Sequence, residues 1–264
     1  MDLKLSGKKA LVTGSTAGIG LAIAKGLAGE GSSVVINGRT QARVDKAIKI
    51  IMSDYPDARV SGFACDFSKV EDINNLLLQL EEVDILINNV GIFEPSAFEK
   101  IMDEDWYRLF DIKVMSGIRL SRQYFPKMVK NNWGRIIFIS SESGIQIPAE
   151  MIHYGMTKTA QIAVAGGLAR LTRGTNVTVN TVIPGSTKSE GAAKFISDLA
   201  REKGMSQDEV EEDFFENMRP TSLIKRFATP EEVANMVVYL CSPLAAATNG
   251  AAIRVDGGTV PTIL

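Results

Sequence analysis

Two hydrophobic patterns alternate along this chain. Short, nearly continuous apolar runs rich in β-branched residues are separated by longer stretches in which apolar residues recur at helical spacing. The runs predict strands over 9–13, 33–37, 59–64, 84–88, 135–140, 176–183 and 250–255. Val34-Val35-Ile36 and Ile136-Ile137-Phe138-Ile139 show no polar alternation, as expected of strands covered on both faces. Helical periodicity predicts helices over 18–30, 40–53, 69–80, 104–131, 153–173 and 230–241. Thr229-Pro230-Glu231-Glu232 gives the last of these an N-cap, a proline in its first turn and early acids. Strand–helix alternation of this kind implies βαβ units. The expected architecture is an α/β, doubly wound parallel sheet of about seven strands with helices on both faces. No linker or repeat interrupts it, so residues 1–264 are expected to form one domain.

One stretch breaks the alternation. Residues 186–228 read as helical yet lie between the last two strands, and Ser206-Gln207-Asp208-Glu209 resembles a capping box. A segment leaving the carboxyl edge of a parallel sheet is placed to act as a lid over a ligand, and we expect a lid in preference to a surface insertion. Met205, Phe214, Phe215 and Met218 within it either shape an apolar pocket or pack the lid on the body.

Composition narrows the function classes. The chain is 45% apolar and 23% charged, ordinary for a globular protein. A net charge of -2 gives no dense basic face for nucleic acid. Cys65 and Cys241 form neither a disulfide framework nor a ligand cluster, and no metal is expected. No apolar stretch approaches a membrane span of ~20 residues, and residues 1–9 lack the apolar core of a signal peptide. A cytoplasmic location is the expectation.

The chemistry begins after the first predicted strand, at Thr13-Gly14-Ser15-Thr16-Ala17-Gly18-Ile19-Gly20. Glycines at a strand-to-helix turn let backbone approach a pyrophosphate, and the helix N-terminus offers N–H groups and a favourable dipole. The second strand ends in Asn37-Gly38-Arg39, with no acid to grip a ribose hydroxyl. A carboxylate there would repel the 2′-phosphate of NADP, whereas Arg39 can pair with it. This favours NADP(H) over NAD(H). Further along, Tyr154 and Lys158 stand four apart on a predicted helix and share a face. A neighbouring ammonium favours the phenolate and brings a tyrosine toward the range useful for acid–base work. Ser140-Ser141 ends the preceding strand, where its hydroxyls can bond a substrate oxygen.

These residues together resemble the short-chain dehydrogenase/reductase family, in its oxoacyl-carrier-protein reductase-like branch. The resemblance spans nearly the whole chain. It includes the Thr13–Gly20 motif, Asp66, Asn88-Asn89-Val90-Gly91, Ser141 with Tyr154 and Lys158, Asn180 through Pro184-Gly185, and Asp256-Gly257-Gly258. It implies a Rossmann-type fold and an oxidoreductase that passes hydride between NADP(H) and a carbonyl or secondary alcohol. It further implies that Ser141 orients the carbonyl, that Tyr154 is the general acid/base, and that Lys158 holds the nicotinamide ribose. Cofactor contacts are implied for Gly14, Ser15, Thr16, Gly18, Ile19, Gly20, Asp66, Asn88, Val90, Pro184, Gly185 and Thr187, as well as Tyr154 and Lys158. A homo-oligomer, tetramer or dimer, is implied too.

Two positions depart from the pattern. Val90 replaces an alanine. Lys113, seven residues after Trp106, occupies the place of an asparagine that helps hold a relay water. An inward Lys113 would lie near Lys158, and one of the two would lose its proton unless Glu142 or Asp111 neutralised the pair. The relay is expected to be altered or absent; an outward Lys113 would direct its amine to a remote partner or solvent and be uncoupled from proton transfer. Lys113 also keeps a second class of function open, a non-catalytic NADP(H) sensor. His153 is expected at the pocket wall or the surface, and Glu142 and Glu150 either discriminate against anionic substrates or are solvated, with solvation the expectation.

Overall fold

The computed structural model describes residues 1–92 and 94–263, with Glu190 described by its backbone alone. Seven parallel strands form one sheet in the order β3-β2-β1-β4-β5-β6-β7. They are β1 Lys9–Val12, β2 Ser33–Gly38, β3 Val60–Ala64, β4 Ile85–Asn88, β5 Gly134–Ile139, β6 Val177–Pro184 and β7 Ala252–Val255. The order reverses between β1 and β4, which opens a crevice at their carboxyl ends. The helices are α1 Gly18–Gly29, α2 Gln41–Asp54, α3 Val70–Gln79, α4 Asp103–Phe110, α5 Ser116–Lys130, α6 Ile152–Arg170, α7 Glu190–Lys203, α8 Gln207–Asp213 and α9 Pro230–Cys241.

The unbroken apolar runs of the strands are explained by two cores, one on each face. Ala10, Val12, Val34 and Ile36 point to one face, where Ile23, Leu27 and Val237 cover them. Leu11, Val35, Ile136 and Phe138 point to the other, against Leu76, Leu120 and Tyr124. The alternation follows from the two-residue repeat of a strand. Thr229 and Glu232 form a complete capping box at α9, with Pro230 in the first turn.

The predicted helix over 104–131 is not continuous. A π-helical segment, Asp111–Met115, separates α4 from α5. One extra residue per turn rotates the side chains beyond it, and Lys113 lies buried within this turn. The 186–228 stretch folds as α7, α8 and a π turn over Phe214–Met218. Ile196, Val210, Phe214, Phe215 and Phe227 give it an apolar core of its own. A parallel bridge between Thr187 and Ala228 closes its base. No described helix is long and apolar enough to cross a membrane.

Candidate active site

The glycine turn is pinned from both sides. Asn89 donates its side-chain amide to the carbonyls of Thr13 (2.9 Å) and Gly14 (3.0 Å). Asn37 accepts from the Gly14 N–H at 3.0 Å, and the Ser15 N–H donates to the Asn37 carbonyl at 2.8 Å. The Gly14 and Ser15 amides are therefore consumed in shaping the turn. Those of α1 are not: Ala17, the N-cap of that helix, has no side-chain acceptor to offer. The first-turn N–H groups are left for an anion. Gly14 (φ +58°) and Gly18 (φ +54°) adopt left-handed backbone, and a Cβ on Gly20 would meet the Gly14 carbonyl at 2.4 Å. Only glycine fits there. At the end of β2, Arg39 is exposed, and its charge helps hold Asp66 below the usual carboxylate range, after the dominant hydrogen bond from the Ser68 N–H. Asn88 is buried beside Ser121, and the Val90 N–H points to the Thr13 hydroxyl at 3.3 Å.

The reactive end is assembled where β5 meets α6. Ser140 donates to the Lys158 carbonyl at 2.9 Å, and Thr159 donates to the Gly144 carbonyl at 2.7 Å. A Cβ on Gly144 would lie 2.9 Å from the Lys158 carbonyl carbon, and one on Gly155 would lie 2.8 Å from the Ser143 oxygen. These two glycines let α6 press against the strand end, which brings Tyr154 and Lys158 to Ser141. All three predicted residues converge. A cavity of about 250 Å³ opens before Ser141 and Tyr154, and Ile19, Pro184, Gly185 and Thr187 share its wall. Met218 and Phe214 roof it, so the 186–228 segment covers the site, while Phe215 lies in that segment's own core, with Met205 packed against it.

The electrostatics differ from expectation at Tyr154. Burial, reinforced by the Glu142 charge, pushes its phenol up from the ordinary value, and a hydrogen bond with Ser141 only partly offsets this. Tyr154 is thus a neutral phenol near pH 7. Lys158 is lowered to about 7 by burial, with Glu142 acting in the opposite sense. Its ammonium donates to the Ile139 carbonyl (2.8 Å) and to Gln161 Oε1 (3.1 Å).

Lys113 points inward. It is 1% exposed, and its Nζ sits 3.5 Å from the centroid of the Tyr154 ring. Among the described residues that amine has no hydrogen-bond partner. Burial first, then Lys158, drive its pKa well below 10.5, opposed only weakly by Glu94. Two buried amines share the space, and the one with two acceptors, Lys158, holds the proton more tightly. Asp111 does not neutralise the pair, because it binds Arg119 at 2.7 Å.

Three further residues are not where the sequence pattern points. His153 is neither surface nor cavity wall: it is buried, with its ring edge against Trp106 at 5.9 Å. Glu142 is not solvated. It is buried, accepts from the Ser141 hydroxyl at 2.6 Å, and faces Arg219 Nε at 3.6 Å. Glu150 is partly exposed but pairs with the same guanidinium, also at 3.6 Å. Gln161 is a site residue that the sequence reading misses. Its buried amide accepts from Lys158 and donates to the Lys113 carbonyl at 2.8 Å, bridging the two lysines' segments. Its place one turn after Lys158 is the available signal.

A crevice at the switch point of a parallel sheet, an uncapped helix N-terminus and a serine–tyrosine–lysine cluster beside it define a dinucleotide-binding α/β protein. Residues 8–200 match the short chain dehydrogenase family. The chain is 47% identical over 263 residues to YvaG, an oxidoreductase of Bacillus subtilis strain 168, with both chains covered in full. It is 33% identical over 262 residues to the 3-oxoacyl-acyl-carrier-protein reductase FabG of Aquifex aeolicus, covering 98% of this chain and 99% of that one. The L-sorbose reductase of Gluconobacter frateurii, solved with NADPH and L-sorbose, superposes with a TM-score of 0.93 at 32% identity, covering 100% of both chains. The chain belongs to the short-chain dehydrogenase family and is an oxidoreductase.

Proposed function

We propose that this enzyme reduces a carbonyl to a secondary alcohol with NADPH, with Tyr154 as the proton donor. The observation that carries this reading is the placement of Ser141 and Tyr154 on one cavity wall with Ile19 of the glycine turn and Pro184–Thr187. The residues fit the cofactor. The uncapped first turn of α1 accepts a pyrophosphate, and Gly20 and Gly185 leave no room for a Cβ where backbone must come close. At the end of β2, Arg39 stands exposed with no acid in place to repel a 2′-phosphate. NADPH in the L-sorbose reductase structure supports the same preference, and L-sorbose there supports a carbonyl substrate.

When bound, the cofactor supplies hydride to the substrate carbon. The chain's own residues manage the oxygen. Ser141 donates a hydrogen bond that holds the carbonyl oxygen beside Tyr154. Burial and Glu142 keep Tyr154 protonated at neutral pH, the state a donor needs for reduction. Lys158, whose Nζ lies 5.7 Å from the Tyr154 ring centroid, stabilises negative charge developing on the phenol oxygen. The Ile139 carbonyl and Gln161 fix that ammonium. The test is loss of NADPH absorbance with a panel of ketones, in the wild type and in Tyr154→Phe. Turnover by the wild type that disappears in the variant, with NADPH affinity retained, is the expected result. Binding of NADPH without turnover would instead identify a sensor.

A further inference from the structure

Ser141 has one hydroxyl proton, and the structure shows where it is committed. Its oxygen accepts from the Ser143 N–H at 3.1 Å and is hydrogen-bonded with the Tyr154 phenol, and its proton goes to Glu142 Oε2 at 2.6 Å. The other carboxylate oxygen, Oε1, faces Arg219 Nε at 3.6 Å and the Ser143 hydroxyl at 3.5 Å. Ser141 is the one hydrogen-bond donor found on Oε2 among the described residues. A substrate carbonyl that takes the Ser141 proton therefore strips Oε2 of its donor. In a buried site an unsatisfied carboxylate oxygen is costly, so a carbonyl alone is a poor exchange.

We infer that the substrate is a neutral α-hydroxy ketone, whose hydroxyl replaces Ser141 as the donor to Glu142 while Ser141 turns its proton to the ketone oxygen. This rests on the carbonyl-reductase reading. Oxygens on adjacent carbons lie about as far apart as a hydrogen-bonded pair, which matches the Ser141 Oγ–Glu142 Oε2 separation. Every donor and acceptor is then satisfied in the complex as it was before. The charges on the cavity wall agree. The described charged residues lining it are Glu142, Glu150 and Arg219, and the guanidinium lies between the two carboxylates. The wall therefore carries a net negative charge, which opposes an oxo acid. Phe195, Phe214, Phe227, Met151 and Met218 line the remainder, so the far substituent is apolar.

The test compares three phenyl ketones of similar size in the NADPH assay. α-Hydroxyacetophenone carries the hydroxyl, propiophenone has a methyl in its place, and phenylglyoxylate has a carboxylate. The expected kcat/KM for α-hydroxyacetophenone exceeds that for propiophenone by about ten- to a hundredfold, the range for a hydrogen bond to a charged group. Phenylglyoxylate is the poorest of the three. In Glu142→Leu the ratio of the two neutral ketones falls to within about threefold, whatever happens to the absolute rates. A merely structural role for Glu142 would lower both rates together and leave the ratio standing. Equal wild-type turnover of the two neutral ketones, or a ratio that survives in Glu142→Leu, overturns the inference but not the reductase reading. No turnover of any ketone overturns both. If Glu142→Leu does not fold, the same ratio is read in Glu142→Gln, whose neutral amide weakens the bond, and a ratio unchanged there overturns the inference equally.

Discussion

Replacing Lys113 by methionine should stabilise this protein. Methionine keeps the length of the side chain and removes a buried amine that has no hydrogen-bond partner among the described residues. An unsatisfied buried polar group costs about 1–3 kcal/mol. The cation–π contact with Tyr154 returns little of this, because the amine is driven toward its neutral form. The expected gain is therefore about 1–3 kcal/mol where the amine is neutral in both states and larger at pH 7, where folding also strips its proton, with roughly 2–4 °C in Tm for each kcal/mol in a chain of this size. Its pH dependence is the sharper signature. The folded pKa of Lys113 lies below 10.5, so between that pKa and 10.5 the unfolded chain binds a proton that the folded chain does not. Wild-type stability therefore rises with pH through this window, by up to about 1.4 kcal/mol per unit from this group. The methionine variant lacks that slope, and its advantage should shrink as the pH is raised. Lys158, lowered to about 7, contributes a slope of the same sign from about pH 7 upward in both proteins and cancels in the comparison. Urea unfolding of the two proteins at neutral pH and near pH 9 measures the difference. A methionine variant less stable by more than about 1 kcal/mol, with a deficit that does not change with pH, would show that the amine is charged and partnered.

The same geometry sets three other expectations. Tyr154→Phe keeps the ring but loses the donor oxygen, so kcat should fall about 10²–10⁴-fold while NADPH affinity measured by fluorescence titration changes little; substantial residual turnover would exclude Tyr154 as the acid. Arg39→Ala should weaken NADPH by about 1.5–3 kcal/mol and leave NADH nearly unaffected, and equal losses in the two titrations would refute a 2′-phosphate role. Gln161→Leu removes an acceptor from the Lys158 ammonium and a donor from the Lys113 carbonyl. It should shift the ionisation near pH 7 in the pH–rate profile to lower pH, and an unmoved profile would separate Gln161 from Lys158.

Much of the fold is legible in the sequence because it depends on local pattern. Continuous β-branched runs report strands buried on both faces, and Thr229-Pro230 marks the start of α9 within a residue. The glycine turn is readable for the same reason: strand, turn and helix are adjacent in the chain. So is the pairing of Tyr154 with Lys158, since helical spacing alone puts them on one face. The pattern does not carry relations between elements. The periodicity over 104–131 hides the π turn at Asp111–Met115, because hydrophobic spacing tolerates one extra residue while side-chain direction does not. Lys113 therefore reads equally well as inward or outward. Glu142 and Arg219 belong to segments far apart in the chain, and only the folding over of the 186–228 stretch brings them to 3.6 Å. Its consequence is that an acid expected in water is buried against Ser141. His153 is misplaced on the same grounds: being next to Tyr154 says which side of α6 it occupies, but Trp106 of α4 is what covers it. Neighbours along the chain set the strand–helix order, the glycine turn and the pairing of Tyr154 with Lys158. The tertiary structure alone decided which charges are buried together, because desolvation and pairing depend on what the rest of the molecule packs against each group.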